Sequence, residues 1–267
     1  MRRIFLFVFL SAVAIIMVIP FLWMLLLSFK LQAEISLANT ILPKVWTMRN
    51  YFRVFETVPI IRWFFNSIAV TVSATVIILF TSSLVGFVFA KYEFRFKNVL
   101  FWFILATMMV PPQTTMIPSF LLISKLRLYD RLASLVIPGM VGGFGIFLCR
   151  QFIEDIPNSL CEAARIDGAK DFYIYFRIII PLIRPAIGAL TIFTFLQYWN
   201  EYMLPLLYLN KIESMTMSLA ISFFSTQRTT DIGAIMAAAA LVMLPVTIVF
   251  LVFQKQFIKG IAIAGLK

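Results

Sequence analysis

The chain has 267 residues, 62% hydrophobic and only 13% charged, with a mean hydropathy of +0.97, a balance that excludes an ordinary water-soluble domain of this length. Its formal net charge of +11 does not mark a nucleic-acid surface, because the Lys and Arg are scattered through short segments between apolar runs. Histidine is absent, which excludes a zinc site or a His-based catalytic triad, and the spacing of Cys149 and Cys161 fits no metal or disulfide framework.

The N-terminus, Met1-Arg2-Arg3 followed by an apolar run from Ile4 to Phe29, is too long for a signal-peptide core and lacks a small-residue cleavage site. It is expected to stay as a first span. Five further apolar segments follow, Phe64 to Phe89, Val99 to Ile123, Leu132 to Phe152, Pro185 to Leu207 and Gly233 to Phe253. A hydrocarbon core about 30 Å thick needs roughly 20 apolar residues per helix, so six crossings fill one membrane domain over residues 1–267. The runs are apolar on all faces rather than alternating. Only helices satisfy such backbone in lipid, so the fold class is all-α, a bundle of six transmembrane helices. An even number of spans puts both termini on one side. Charge nearly balances across the two sides, but the tight turn from Lys91 to Lys97 favours a cytoplasmic N-terminus.

Small and polar residues recur inside the spans: Thr71, Ser73, Thr75, Thr81, Ser82, Ser83 and Gly86 in the second, Gly139, Gly142, Gly143 and Gly145 in the fourth, and Gly233, Ala234 and Ala237 to Ala240 in the sixth. They let helices approach closely, and a solute path is the other reading open to them. Pro111-Pro112 and Pro245 remove backbone bonds and are expected to kink the third and sixth spans.

Between the fourth and fifth spans, residues 153–184 are too polar to cross and too patterned to be slack. Ser159 followed by Glu162 has the form of a capping box, Leu160 opens the first turn, and Gly168 is placed to end the helix in a left-handed conformation. Leu160, Ala163, Ala164 and Ile166 form a low ridge, with Arg165 and Asp167 offering charge. A short, rigid docking helix is predicted.

Glu162-Ala163-Ala164, then Gly168, Ile178, Ile180 and Pro181, resembles the EAA signature of ABC-importer permeases, departing mildly at Ile180, where that pattern has Leu. Trp63 to Ser67, Met109 to Gln113, Gln151-Phe152, Trp199-Asn200-Glu201 and the tail Lys255 to Lys267 resemble the maltose-type second permease subunit. The resemblance implies a type I importer bundle whose cytoplasmic coupling helix, through Glu162, Ala163, Ala164, Asp167 and Gly168, sits in the cleft of an ATPase subunit. It further implies two ATP-binding subunits, a second and different permease subunit, and an extracytoplasmic solute-binding protein facing Leu31 to Arg62 and Tyr208 to Ile232. No G-x-x-x-x-G-K-[ST] occurs, so ATP is expected to be bound by partners, the chain itself being no enzyme and carrying no cofactor or metal.

Counting from Arg184 at a 1.5 Å rise, Asn200 and Glu201 fall roughly 24 Å up the fifth span, near the outer interface. Tyr198, Trp199, Asn200 and Glu201 are candidates for a sugar path, since rings, amides and carboxylates suit sugar faces and hydroxyls; a local structural role, or an aromatic belt for Trp199 and Tyr202, stays open. The expected function is import of an oligosaccharide or related solute across a bacterial-type inner membrane. Its rivals are an ion-coupled secondary transporter, for which only Glu201 is available, a permease for a non-sugar solute such as glycerol phosphate, and an intramembrane enzyme, for which no deep Lys or paired carboxylates exist.

Overall fold

The computed structural model of the chain describes residues 2–37, 40–226 and 231–264. Met1, Arg228 and Lys267, which entered the reading of charge and tail, lie outside them. Among the described residues there is helix, turn and irregular backbone and no strand, as expected where lipid must be faced without unpaired backbone groups. The chain divides into two compact units, Met1–Phe64 with Thr216–Val246, and Phe65–Met215 with Thr247–Lys267.

Three helices are long and apolar enough to cross a membrane unaided: Arg2–Ser28, Ile60–Lys91 and Ile232–Ala264. The other expected spans are broken. Lys97–Met108 and Pro112–Lys125 meet at 98°, and Ala133–Gly139 and Gly143–Glu154 at 47°. The first break is the predicted one, since Pro112 begins a new helix where its missing N–H costs nothing. Ile232–Ala264 is a single helix through Pro245. The fifth span corrects the expectation of Pro185 to Leu207: its helix is Arg184–Trp199, the backbone breaks over residues 200–202, and a short helix Met203–Tyr208 follows. Asp171–Leu182 and Arg184–Trp199 form a third bent pair, at 80°, and with each bent pair counted as one span the helices are long and apolar enough for up to six crossings.

In the first unit, Arg2–Ser28 presents apolar side chains on nearly every side, the pattern of a helix solvated by lipid. Beyond it, buried Asn50 donates through Nδ2 to the carbonyls of Ser28 (2.8 Å) and Lys30 (2.7 Å), and Trp63 is fully buried edge-on to Phe223. A Cβ on Gly233 would lie 2.7 Å from the Asn50 amide. Asp231 starts the last helix by accepting the Ala234 N–H at 3.1 Å and pairs with Arg53.

In the second unit, small residues set helix contact. A Cβ on Gly86 would meet the Arg150 nitrogen and Cys149 Cβ at 2.9 Å, and one on Gly145 would meet Ser82 Oγ at 2.3 Å. The close-packing reading of these positions is the one the geometry follows. One buried cluster gathers Phe87, Cys149, Ile153, Ile156, Cys161, Ile174, Tyr175 and Ile179, and a second gathers Val70, Ala74, Ile123, Leu135, Val136, Tyr208 and Leu209.

Candidate functional site

The segment 153–184 is ordered into helices Asn158–Ile166, Asp171–Ile174 and Ile180–Leu182, with one π-helical turn at Tyr175–Ile179. The first of these, here called the knob helix, begins two residues earlier than predicted. Pro157 is its N-cap, in extended backbone, and no side chain caps it. The predicted capping box of Ser159 and Glu162 is therefore absent: proline fixes the entry, and Ser159 falls inside the first turn.

Its C-terminus forms as predicted. Gly168 has φ +82°, its N–H donates to the Arg165 carbonyl (3.0 Å), and the Ala169 N–H donates to the Ala164 carbonyl (2.9 Å). This is the paired closure of a Schellman motif, which satisfies carbonyls that would otherwise be orphaned.

Three anchors hold the helix to the bundle. Cys161 is buried and Ala164 packs against the same apolar cluster, so the i, i+3 face turns inward. The Lys91 ammonium donates to the Ile156 carbonyl and to Asn158 Oδ1 (2.9 Å). The Arg165 guanidinium lies 5.4 Å over the Tyr92 ring and 3.2 Å from Asp171. Burial first, and then the Asp171 carboxylate, push the Tyr92 phenol up; the hydrogen bond from Tyr92, then Arg165, hold Asp171 low. Behind them, Tyr175 in the π-turn bonds Ser83 at 2.6 Å and packs on Phe87.

The opposite face of the knob is open. Glu162, Ala163, Arg165, Ile166, Asp167 and Gly168 are all exposed, Ile166 to 87%. A wide hollow beside it is lined by Asp167, Gly168, Lys170, Tyr173 and Arg177. Of the predicted ridge, Leu160, Ala163 and Ile166 face out, while Ala164 is turned partly inward. The anchors Lys91, Tyr92 and Tyr175 escaped sequence reasoning, because each acts on residues far along the chain.

The second predicted group is divided by the break after Trp199. Trp199 is 1% exposed and stacks on Phe195 at 5.8 Å, whereas Asn200 is exposed and ends the helix through a bond to the Leu196 carbonyl. Glu201 Oε1 accepts the N–H groups of Met203 (3.0 Å) and Leu204 (3.1 Å), capping the short helix that follows. Tyr198 and Glu201 line a cavity of about 230 Å³ with Pro112, Thr115, Met116, Ser119, Leu135, Pro138, Gly139, Gln197, Leu204 and Tyr208. The structure thus brings Tyr198 and Glu201 together and sets Trp199 and Asn200 apart from them.

Comparison with known proteins identifies the setting. Residues 82–263 match the family described as binding-protein-dependent transport system inner membrane component. The chain is 35% identical to the arabinooligosaccharides transport system permease protein of Bacillus subtilis, over 99% of this chain and 96% of that protein. It is 30% identical to the sn-glycerol-3-phosphate transport system permease protein of Escherichia coli O157:H7, over 86% and 85%. It superposes with TM-score 0.85 and 26% identity, over 96% of this chain and 97% of the other, on a chain of a bacterial ABC transporter involved in the import of the acidic polysaccharide alginate. With an exposed helix held by three anchors between its fourth and fifth apolar segments, this chain belongs to the family of binding-protein-dependent transport system inner membrane components, the permease subunits of ABC importers.

Proposed function

We propose that the chain moves sugars, as oligosaccharides or related solutes, inward through the inner membrane, driven by ATPase subunits that grip the knob helix. The observation that carries this is the knob itself: a short helix closed at Gly168, tied to the bundle by Lys91 and a buried face, with Glu162, Ala163 and Asp167 in solvent. A stiff element transmits displacement where a coil would absorb it. In this reading two ATP-binding subunits hold the ATP, this chain holds no cofactor, and both termini are cytoplasmic. A second, different permease subunit completes the pathway, and an extracytoplasmic solute-binding protein meets the segments Leu31 to Arg62 and Tyr208 to Ile232. Residues 1–267 act as one permease domain. Glu162 and the alanines at 163 and 164 fit the ATPase cleft, Asp167 offers it charge, and Gly168 permits the turn.

The run Tyr198, Trp199, Asn200 and Glu201 belongs to the transport path, with Tyr198 and Glu201 nearest the solute and Trp199 and Asn200 shaping the helix end. A sugar suits the path better than a phosphate, as in the glycerol phosphate relative, because the cavity lining contains a carboxylate and neither Lys nor Arg.

The test is Glu162→Lys. Glu162 is exposed and its side chain meets no partner among the described residues, so reversal of its charge leaves folding alone. Co-purification of the ATPase and ATP-dependent saccharide uptake are expected to fall together. Uptake at the wild-type rate with an unchanged ATPase complement would remove the basis of the proposal.

A further inference from the structure

Resting on the importer reading above, we infer that Asn66 is a positioning residue. It hooks the outer end of the second span to the turn at residues 211–215, so that a stroke delivered to the knob helix reaches the surface offered to the solute-binding protein. Asn66 Nδ2 donates to the carbonyls of Glu213 (2.8 Å) and Met215 (2.9 Å), which commits both N–H groups of the amide to one turn. The turn is closed by the Ser214 N–H on the Lys211 carbonyl (2.9 Å) and the Met215 N–H on the Ile212 carbonyl (3.3 Å). Asp130 holds its other end. Oδ1 accepts the N–H groups of Asn210 and Lys211 at 3.0 Å each, Oδ2 pairs with Lys211 at 3.2 Å, and the Asp130 N–H donates to the Tyr208 carbonyl at 2.8 Å. Asp130 does this from a left-handed backbone at φ +60°, which Asp accepts more readily than most residues. Between the two clamps Asn210, Lys211, Ile212 and Glu213 are exposed, and a surface ordered in advance loses less freedom when a partner docks.

The clamps differ in what stands behind them. Asp130 sits on the connection between the third and fourth spans, whereas Asn66 belongs to Ile60–Lys91, and the inner end of that helix carries the anchors of the knob. Lys91 holds Ile156 and Asn158, Ser83 shares a hydrogen bond with Tyr175, and Phe87 lies in the buried cluster that takes in Cys161. Residues 66–91 run without a break or a proline, a length of about 37 Å at 1.5 Å per residue. The three bent pairs turn by 98°, 47° and 80° instead. Coupling between distant sites is carried by packed elements that move as one piece, which makes the second span the rod, Asn66 its hook and Asp130 a fixed pivot. Such linkage is reciprocal, so a binding protein seated on residues 210–213 biases the knob in return.

The experiment uses the complete importer, with both permeases and the ATPases, in nanodiscs. Amide exchange is read by mass spectrometry with and without ATP trapped by vanadate. In the wild type, trapping should slow exchange across Asn158–Ile166 and shift exchange at Ser214 and Met215 by about fivefold or more, the lower end of ordinary couplings. Asn66→Ala should keep the slowing at the knob and lose the response at 214 and 215. Asp130→Ala should speed Asn210 and Lys211 by about five- to tenfold, the equivalent of one hydrogen bond, and keep the response. If Asn66→Ala does not assemble, Asn66→Asp, which has the same shape and only accepts when ionised, takes its place; loss of assembly in both makes Asn66 structural and overturns the inference. A wild-type turn that ignores nucleotide while the knob slows overturns it and leaves the importer reading standing. A response that survives in Asn66→Ala, or is lost in Asp130→Ala, also overturns it. A knob unmoved by trapped nucleotide removes the importer reading and the hook with it.

Discussion

Replacing Gly168 separates backbone geometry from shape. Its φ of +82° lies in the left-handed region, and a Cβ built there meets nothing within 4 Å, so within the chain the cost is conformational alone. An ordinary L-residue in that region loses about 1–2 kcal/mol, asparagine loses less because its short polar side chain tolerates it, and a β-branched residue loses most. A change of 1–2 kcal/mol is a factor of about 5–30 in the population of a marginal structure. The Schellman closure at Ala164 and Arg165 should therefore open far more often in Gly168→Ala. Affinity of the assembled permease for its ATPase, measured by titration in detergent or nanodiscs, is predicted to rank Gly, then Asn, then Ala, then Val. Asn is larger than Ala and still ranks above it, which is the mark of a backbone effect. An order that follows side-chain size, or alanine binding as well as glycine, would refute the reasoning.

Two other substitutions test the anchoring and the packing. Lys91→Met removes the donor to Ile156 and Asn158 and leaves a carbonyl unpaired, a local loss of about 1–3 kcal/mol; amide exchange should accelerate across Asn158–Ile166 and stay unchanged in Lys97–Met108, and equal protection in both proteins would contradict the anchor. Gly145→Ala places a Cβ 2.3 Å from Ser82 Oγ and 2.8 Å from Ser82 Cβ, an overpacking cost of about 1–3 kcal/mol that should lower the melting temperature in detergent. Adding Ser82→Gly should recover most of the loss, and simple additivity of the two changes would show that the residues do not meet.

Much of this architecture was legible in the amino-acid order. The six apolar runs stand out because lipid demands long, uniformly apolar helices, and the break at Pro112 and the left-handed Gly168 were legible because proline and glycine act through their own backbones. The break near Gly142 and the helix end at Trp199 were not, since the apolar run resumes within a few residues beyond each and hydropathy averaged over a span does not register a turn. Ser159 misled because its spacing to Glu162 copies a capping box while Pro157, two residues before, already sets the helix entry. The long-range pairs could not be read at all: Lys91 with Asn158, Ser83 with Tyr175, and Tyr208 beside Ser119 are joined only by the fold. For the same reason the cavity lining reaches well beyond the contiguous run from Tyr198 to Glu201.

The central claim, that an ATPase drives this chain by gripping a cytoplasmic knob, is tested most directly by labelling Ala163→Cys. Ala163 is exposed, while the native Cys149 and Cys161 are buried, so background reaction is low. A membrane-impermeant maleimide applied to oriented vesicles should react at residue 163 only from the cytoplasmic face, and assembly with the ATPase subunits should protect it. Labelling from the outer face, or full reactivity in a complex that is actively importing, would contradict the account.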